Sequence, residues 1–245
     1  MDSRLILLIK GELKRMNRYG ITTVSILVAV LWFVLLYSLD DSDILSALLP
    51  FIIVIDATMM AAIYVGAVMF FERSESTIAT LLVTPIANRE LILSKVIANT
   101  IHSVLSSLLV VIAFTVVKDV GVSWVMITLA LIVSVSFHSF LGFVFSYHAK
   151  DFTSMLMNVM LYALIFALPS ALRLFDVMFK GSFWEYALLI NPTQAAIELV
   201  MVGFREPAFE PFFISLSVLV FGGYALYRYY VLPNFKDYAV KESGV

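Results

Sequence analysis

Long runs of apolar residues constrain the fold of this chain more than any other feature of its sequence. The run from residue 21 to residue 39 contains no charged side chain. A helix of about 20 such residues crosses the hydrocarbon core of a bilayer. Of the 245 residues, 62% are hydrophobic and 14% are charged, and the mean hydropathy is +0.99. The chain is therefore predicted to be an all-α polytopic protein of the lipid bilayer.

Six segments are long enough to span a bilayer at roughly 20 residues per span. They are residues 21–39, 44–71, 91–117, 122–147, 153–172 and 211–232. At 1.5 Å per residue the second would be roughly 42 Å long, against a hydrocarbon core of roughly 30 Å, so one end is predicted to project. No internal repeat is visible and no loop could hold a soluble catalytic domain, so residues 1–245 are predicted to form one membrane domain.

The positions of Lys and Arg near the span ends predict the orientation, because cytoplasmic loops retain these residues preferentially. With a cytoplasmic N-terminus, twelve of them are cytoplasmic: Arg4, Lys10, Lys14, Arg15, Arg18, Arg73, Arg89, Lys95, Lys150, Arg228, Lys236 and Lys241. Four are external: Lys118, Arg173, Lys180 and Arg205. The acidic turn at residues 40–43 agrees with this orientation. Both termini are predicted to be cytoplasmic.

Composition excludes several classes of function. The chain has no cysteine, so disulfides and thiolate metal or redox chemistry are not proposed. The formal net charge is −2 and the basic residues lie beside the predicted spans, which argues against a nucleic-acid partner.

Residues 1–20 precede the first span and alternate apolar with basic side chains. This pattern is typical of a helix that lies along the membrane interface, and it predicts an N-terminal elbow helix. The alternative is an ordinary basic flank that sets the topology.

The segment between the second and third spans predicts a short helix followed by a stop. Residues 77–83 place Ile78, Leu81 and Leu82 on one side of that helix, and Pro85 ends it. A short apolar face exposed to the cytosol is expected to need a partner.

This segment resembles the corresponding loop of ABC-2-type transporter permeases, which reads approximately E-R-x-x-G-T-L-E-x-L-x-x-T-P. The residues that match in register are Glu72, Arg73, Thr77, Leu81, Thr84 and Pro85. The sequence departs from the pattern at Ser76, where the family usually has Gly, and at Ala79, where it often has Glu. The resemblance implies that residues 72–90 contain a coupling helix, and that the matching residues together with Leu82 contact a separate ATPase.

The resemblance also implies the working unit and its activity. Two permease chains, identical or paralogous, would assemble with two ATPase subunits in the plasma membrane of a bacterial or archaeal cell. The chain lacks a Gly-x-x-x-x-Gly-Lys-Ser/Thr sequence, so ATP and Mg would bind to the partner ATPase and this chain would not be an enzyme. The cargo would be a hydrophobic or amphiphilic drug, antibiotic or peptide moved out of the cell. Within the family the sequence is most similar to drug-export permeases, including fluoroquinolone-export types.

Two other classes compete with this hypothesis. An ATP-independent secondary carrier or channel would be favoured by inverted repeats or paired broken helices, and neither is visible. An intramembrane enzyme would need convergent polar groups at membrane depth, for which no residue spacing provides evidence. Neither class accounts for the 72–85 segment.

Asp56 is the candidate residue at membrane depth. It lies about midway along the second apolar run, where an ionisable group costs roughly 2.5 to 3.5 kcal/mol. It is predicted to line the translocation pathway or to contact a second subunit. The alternative is a structural hydrogen bond to Ser or Thr on a neighbouring helix. His102 and His138 also lie within spans, but without metal-ligand spacing they are predicted to be packing residues.

The region before the last span, residues 173–208, is too apolar for a free loop and too short for two full spans. Re-entrant or interfacial helices are expected, and the family resemblance implies an external gate that includes Asn191 and Pro192. The alternative is an aromatic belt at the interface. Pro169, near the end of the fifth span, is expected to be able to kink that helix.

Overall fold

The computed structural model describes residues 3–38, 42–117, 121–205 and 208–240, and every regular element in these ranges is a helix. The helices are α1 (Ser3–Arg18), α2 (Ile21–Ser38), α3 (Ser42–Ser74), α4 (Thr77–Leu82), α5 (Asn88–Val117), α6 (Trp124–Tyr147), α7 (Phe152–Tyr162), α8 (Leu168–Leu174), α9 (Ser182–Ala187), α10 (Pro192–Met201), α11 (Phe209–Ala225) and α12 (Leu232–Val240). Two π-helical segments, Ala163–Ala167 and Leu226–Val231, join α7 to α8 and α11 to α12. The predicted all-α fold is confirmed within these ranges, and Asp40 and Asp41 of the acidic turn fall outside them.

Five helical stretches are long and apolar enough to cross a membrane: Leu48–Ser74, Asn88–Val116, Trp124–Tyr147, Phe152–Leu174 and Phe209–Val240. A sixth arises only if α1 and α2 together form one broken span. These two helices meet at a 62° bend. Gly20 lies in the bend with φ 74°, a conformation that glycine adopts without steric cost. The predicted six spans are thus five or six, and the course of α1 along a membrane surface stays a prediction.

The long helix α3 lies at the centre of the bundle and packs against α5, α6 and α7. Its approach to α6 is close because glycine occupies the contact. A Cβ atom on Gly142 would lie 2.6 Å from the carbonyl oxygen of Ala62 and 3.1 Å from the backbone nitrogen of Gly66. Small residues at such crossings let two backbones come together, as is common between helices in membranes.

The last helical stretch is longer than its apolar run predicts, because its end packs against other helices. The predicted span ends at residue 232, but helix continues to Val240. Phe235 and Tyr238 are buried there, and the Tyr238 ring lies 4.7 Å from the ring of Tyr147 on α6. Packing therefore extends this helix into a more polar part of the sequence.

Pro169 lies in the first turn of α8, directly after the π-helical segment Ala163–Ala167. Helix is continuous through this point, and the wider π-helical turn before Pro169 accommodates the missing backbone donor of proline. The whole stretch Phe152–Leu174 still qualifies as one candidate span.

Candidate functional site

Four charged side chains from three helices meet at the end of the molecule that carries α4. They are Glu12 and Arg15 of α1, Glu72 of α3 and Lys95 of α5, hereafter the charge cluster. The Lys95 Nζ atom donates to Glu72 Oε1 at 2.6 Å and to Glu12 Oε1 at 2.8 Å. Arg15 donates to the carboxylates of both Glu12 and Glu72. Two acids and two bases balance, so the cluster is formally neutral.

The cluster is largely shielded from solvent, with Glu72 6% exposed and Lys95 2% exposed. Removing one partner of such a buried pair costs about 3 to 5 kcal/mol, because a charge is left without compensation. The four residues therefore hold the end of α3 against α1 and α5.

The predicted short helix is present as α4, directly after the end of α3. Ser76 precedes α4 with φ 57° and ψ 14°, in the left-handed region that favours glycine. The Thr77 hydroxyl donates to the backbone carbonyl of Glu72 at 3.0 Å. The link between α3 and α4 is thus two residues long and carries a hydrogen bond back to the charge cluster.

The apolar side of α4 packs inside the chain, where an exposed face had been expected. Ile78 is fully buried, and Leu81 and Leu82 are partly buried against the same apolar cluster. This apolar cluster includes Phe235 of α12, which packs on α4 because the last helix extends that far. Val83, 85% exposed, is the apolar residue of this segment that faces outward.

Arg73 also points into the protein and contacts the last helix. Its guanidinium donates to the carbonyl of Ala149 at 3.3 Å and lies 4.6 Å from the centre of the Tyr238 ring. A cation over an aromatic face contributes about 0.5 to 2 kcal/mol, more when it is desolvated.

All seven predicted coupling residues thus lie in one contiguous segment, but their side chains differ in solvent exposure. Glu72 and Arg73 are buried, whereas Thr77 and Pro85 are exposed and Thr84 is partly buried. The carbonyl of Pro85 accepts a hydrogen bond from Arg4 at 3.2 Å. The segment is therefore tied to both ends of α1, and contact with an ATPase stays a prediction.

Asp56 lines a cavity of about 230 Å³ between α2, α3 and α5. His102, Ser103 and Ser107 of α5 line the same cavity. Within the described ranges no basic side chain forms a salt bridge with Asp56, and no Ser or Thr hydroxyl hydrogen-bonds to it there. The structure therefore places Asp56 and His102 on the wall of one cavity, and the role of Asp56 in a translocation pathway stays a prediction.

His138 is separate from this cavity and fully buried. Its Nε2 atom lies 2.9 Å from the Tyr162 hydroxyl, and its Nδ1 atom lies 2.7 Å from the Ser134 carbonyl. The Tyr162 hydroxyl is in turn 3.3 Å from Thr193 Oγ1. These bonds join α6, α7 and α10, in agreement with a packing role.

Asn191 and Pro192 begin α10, with Pro192 at its first position. The Asn191 side chain accepts hydrogen bonds from the backbone of Thr193 and Gln194 and donates to the Phe166 carbonyl at 2.7 Å. Asn-Pro is a favourable helix start, because Asn caps free backbone donors and Pro needs none. The role of these residues as a gate stays a prediction.

Short helices occupy the rest of the described 173–205 region. α9 has six residues and carries Tyr186, whose hydroxyl donates to Glu210 at 2.9 Å. The hydrogen bond to this carboxylate raises the pKa of Tyr186. The expected short helices are present, while a re-entrant course stays a prediction.

Sequence reasoning missed Glu12 and did not assign a partner to Lys95. A signal was available, since Lys95 lies four residues inside the predicted third span. A cation in an apolar run needs a counter-ion, and Glu72 lies at the end of the preceding span. Which acid would pair with it depends on how α1 folds back, which the sequence pattern does not specify.

The helices define a multi-pass α-helical membrane protein with a short helix between two spans at the end that carries the charge cluster. The family model of the ABC-2 type transporter matches residues 3–205. The chain therefore belongs to the ABC-2 type transporter family and is the permease subunit of an ABC transporter, whose partner is an ABC ATPase. A search of curated proteins gave no match. The family assignment favours a transporter subunit over an ATP-independent carrier or an intramembrane enzyme.

Proposed function

We propose that this permease is the membrane subunit of an exporter driven by ATP hydrolysis in a separate ATPase that binds the 72–85 segment. The observation that carries this proposal is the attachment of α4. This helix packs on α3 and α12, and the charge cluster ties the end of α3 to α1 and α5. A displacement of α4 is therefore transmitted to four other helices.

The exposed and buried residues of the segment have different parts in this proposal. Val83 and Pro85 face outward and contact the ATPase. Glu72 and Arg73 transmit the movement through their buried partners. ATP and Mg bind to the ATPase, and this chain supplies no catalytic group. To shift the population ratio of two permease conformations from 1:99 to 99:1, the ATPase must favour one of them by about 5.5 kcal/mol.

The orientation, assembly and cargo complete the proposal. Residues 1–245 form one domain in the plasma membrane of a bacterial or archaeal cell, with both termini and α4 cytosolic. Two permease chains, identical or paralogous, assemble with two ATPase subunits. The cargo is a hydrophobic or amphiphilic drug, antibiotic or peptide, as in drug-export permeases. It passes Asp56, and Asn191 and Pro192 belong to an external gate.

The proposal is tested by placing a charge on the outward face of the segment. We expect Val83→Asp to reduce co-purification with the ATPase encoded beside the gene by at least tenfold, because a buried unpaired carboxylate costs several kcal/mol at an interface. Val177→Asp is the matched control, since Val177 is also an exposed valine, 61% exposed, but lies near the other end of the bundle. Equal binding by both variants, each eluting as a folded protein, would refute the assignment.

A further inference from the structure

Two cavities on the α1–α2 side of the molecule are contiguous. The first contains Asp56 and measures about 230 Å³, and the second measures about 770 Å³. Both are lined by the same four residues, Tyr19, Ile21, Tyr64 and Ala67. They therefore form one cleft, which follows the bend between α1 and α2.

The two ends of the cleft differ in position along α3. One end is lined by Asp56, and the other by Glu72 together with Thr77 and Leu81 of α4. Asp56 and Glu72 are 16 residues apart, which corresponds to roughly 24 Å along a helix. The cleft thus extends from the charge cluster at α4 to membrane depth.

The chemistry of the Asp56 end is a carboxylate with hydroxyl groups, the Asn99 amide and the His102 imidazole on an otherwise apolar wall. Ser107 is 1% exposed, and its hydroxyl has no hydrogen-bond partner in the described part of the chain. The indole of Trp32 faces Asp56, although its nitrogen makes no hydrogen bond of normal geometry there. Buried polar groups are normally hydrogen-bonded, so these atoms indicate a place for a ligand.

The charge of the ligand that this place would hold follows from the presence of Asp56. A carboxylate at this depth needs a cation, and no basic side chain of the described ranges forms a salt bridge with it. A metal ion would need more ligands, but the described residues contain no group of three acidic or histidine side chains that could hold one. An organic cation satisfies the carboxylate, and its apolar part fits the wall formed by Val28 and Met60.

We propose that this cleft binds an amphiphilic amine, with the ammonium group at Asp56 and the apolar chain between α2 and α3. The inference rests on the proposed function, because it assigns to the exporter a cargo class that is both cationic and amphiphilic. The ammonium group donates to the Asp56 carboxylate and to a neighbouring hydroxyl. An apolar chain of the amine that is long enough to reach the other end of the cleft also touches α3 beside Glu72, at the base of α4.

Trp32 provides a reporter beside Asp56, since the chain has three tryptophans and the other two can be replaced. The parent protein for the test is therefore the full chain with Trp124→Phe and Trp184→Phe, in nanodiscs of zwitterionic lipid. The probes are n-decylammonium and n-decanol, which share a chain length and differ in charge. The emission of Trp32 is recorded during titration with each probe.

We expect decylammonium to half-saturate the emission change at a concentration roughly tenfold or more below that of decanol, as a charge-assisted hydrogen bond predicts. Asp56→Asn should abolish this difference. Asp176→Asn is the control, because Asp176 is an acid in an exposed turn, paired with Lys180. Ser25→Leu, which narrows the cavity from α2, should weaken the response to both probes.

The proposal is overturned if Asp56→Asn leaves the preference for decylammonium unchanged, or if neither probe alters Trp32 emission because another chain fills the cleft. No ATPase takes part in this titration. If the ATPase did not bind the 72–85 segment, the proposed transport role would fail, but amine binding at Asp56 would still be established. If the amine did not bind, the ATPase contact would be unaffected.

Discussion

Ser76 shows how one backbone conformation connects this chain to the pattern of its family. It has φ 57° between α3 and α4, a region that costs a residue with a Cβ about 1 to 2 kcal/mol. The family pattern usually has Gly here, and the structure supplies the reason. The strain lies at the joint between the central helix and the segment proposed to bind the ATPase.

Replacing Ser76 by Gly should therefore stabilise the protein. We expect a gain of about 0.5 to 1 kcal/mol, because the steric strain removed exceeds the extra flexibility of Gly in the unfolded chain. The midpoint of thermal unfolding of the purified permease measures this change. Ser74→Gly is the control, and it should not raise the midpoint, because Ser74 is the last residue of α3 and its backbone is outside the left-handed region, so Gly relieves no strain there. A lower midpoint for Ser76→Gly would show that the left-handed conformation imposes no strain.

At the scale of elements, the charge cluster joins α1, α3 and α5 at the base of α4. The sequence identified Glu72 as important through the resemblance, but placed it in a contact with a partner protein. The structure shows it buried among cations of two other helices. A motif match identifies which residues are constrained, whereas the side of the helix on which they pack depends on tertiary contacts.

Neutralising Lys95 tests the structural role of this cluster. Lys95→Met should destabilise the permease by about 3 kcal/mol, because it leaves a surplus negative charge on Glu12 and Glu72. Adding Glu12→Gln restores neutrality and should recover part of the loss. The fraction that survives heating, measured by size-exclusion chromatography, reports both effects.

The exposed ion pair Lys180–Asp176 offers the matched control. Lys180→Met removes a pair that is largely solvated, so its effect should be under about 1 kcal/mol. If Lys95→Met and Lys180→Met left the same fraction of protein after heating, the charge cluster would not stabilise the packing of the three helices.

At the scale of the whole molecule, apolar run length predicted the helical membrane fold and most of its spans. The mixed apolar and basic pattern predicted a separate helix before Gly20, but it could not predict the 62° angle between α1 and α2, which depends on how α1 packs against α3 and α5. Apolar run length also placed the end of the last helix eight residues early, since Tyr238 and Phe235 are held by packing. The cavity at Asp56 was likewise beyond the sequence, because it depends on where α2, α3 and α5 meet.

The central claim is that the outward face of the 72–85 segment touches the ATPase, and photo-crosslinking tests it most directly. A benzophenone amino acid would be placed at Val83 and, separately, at Val177, in the complete complex isolated from membranes. We predict a covalent product of permease and ATPase from position 83 and none from position 177. A crosslink from position 177 with none from position 83 would contradict it.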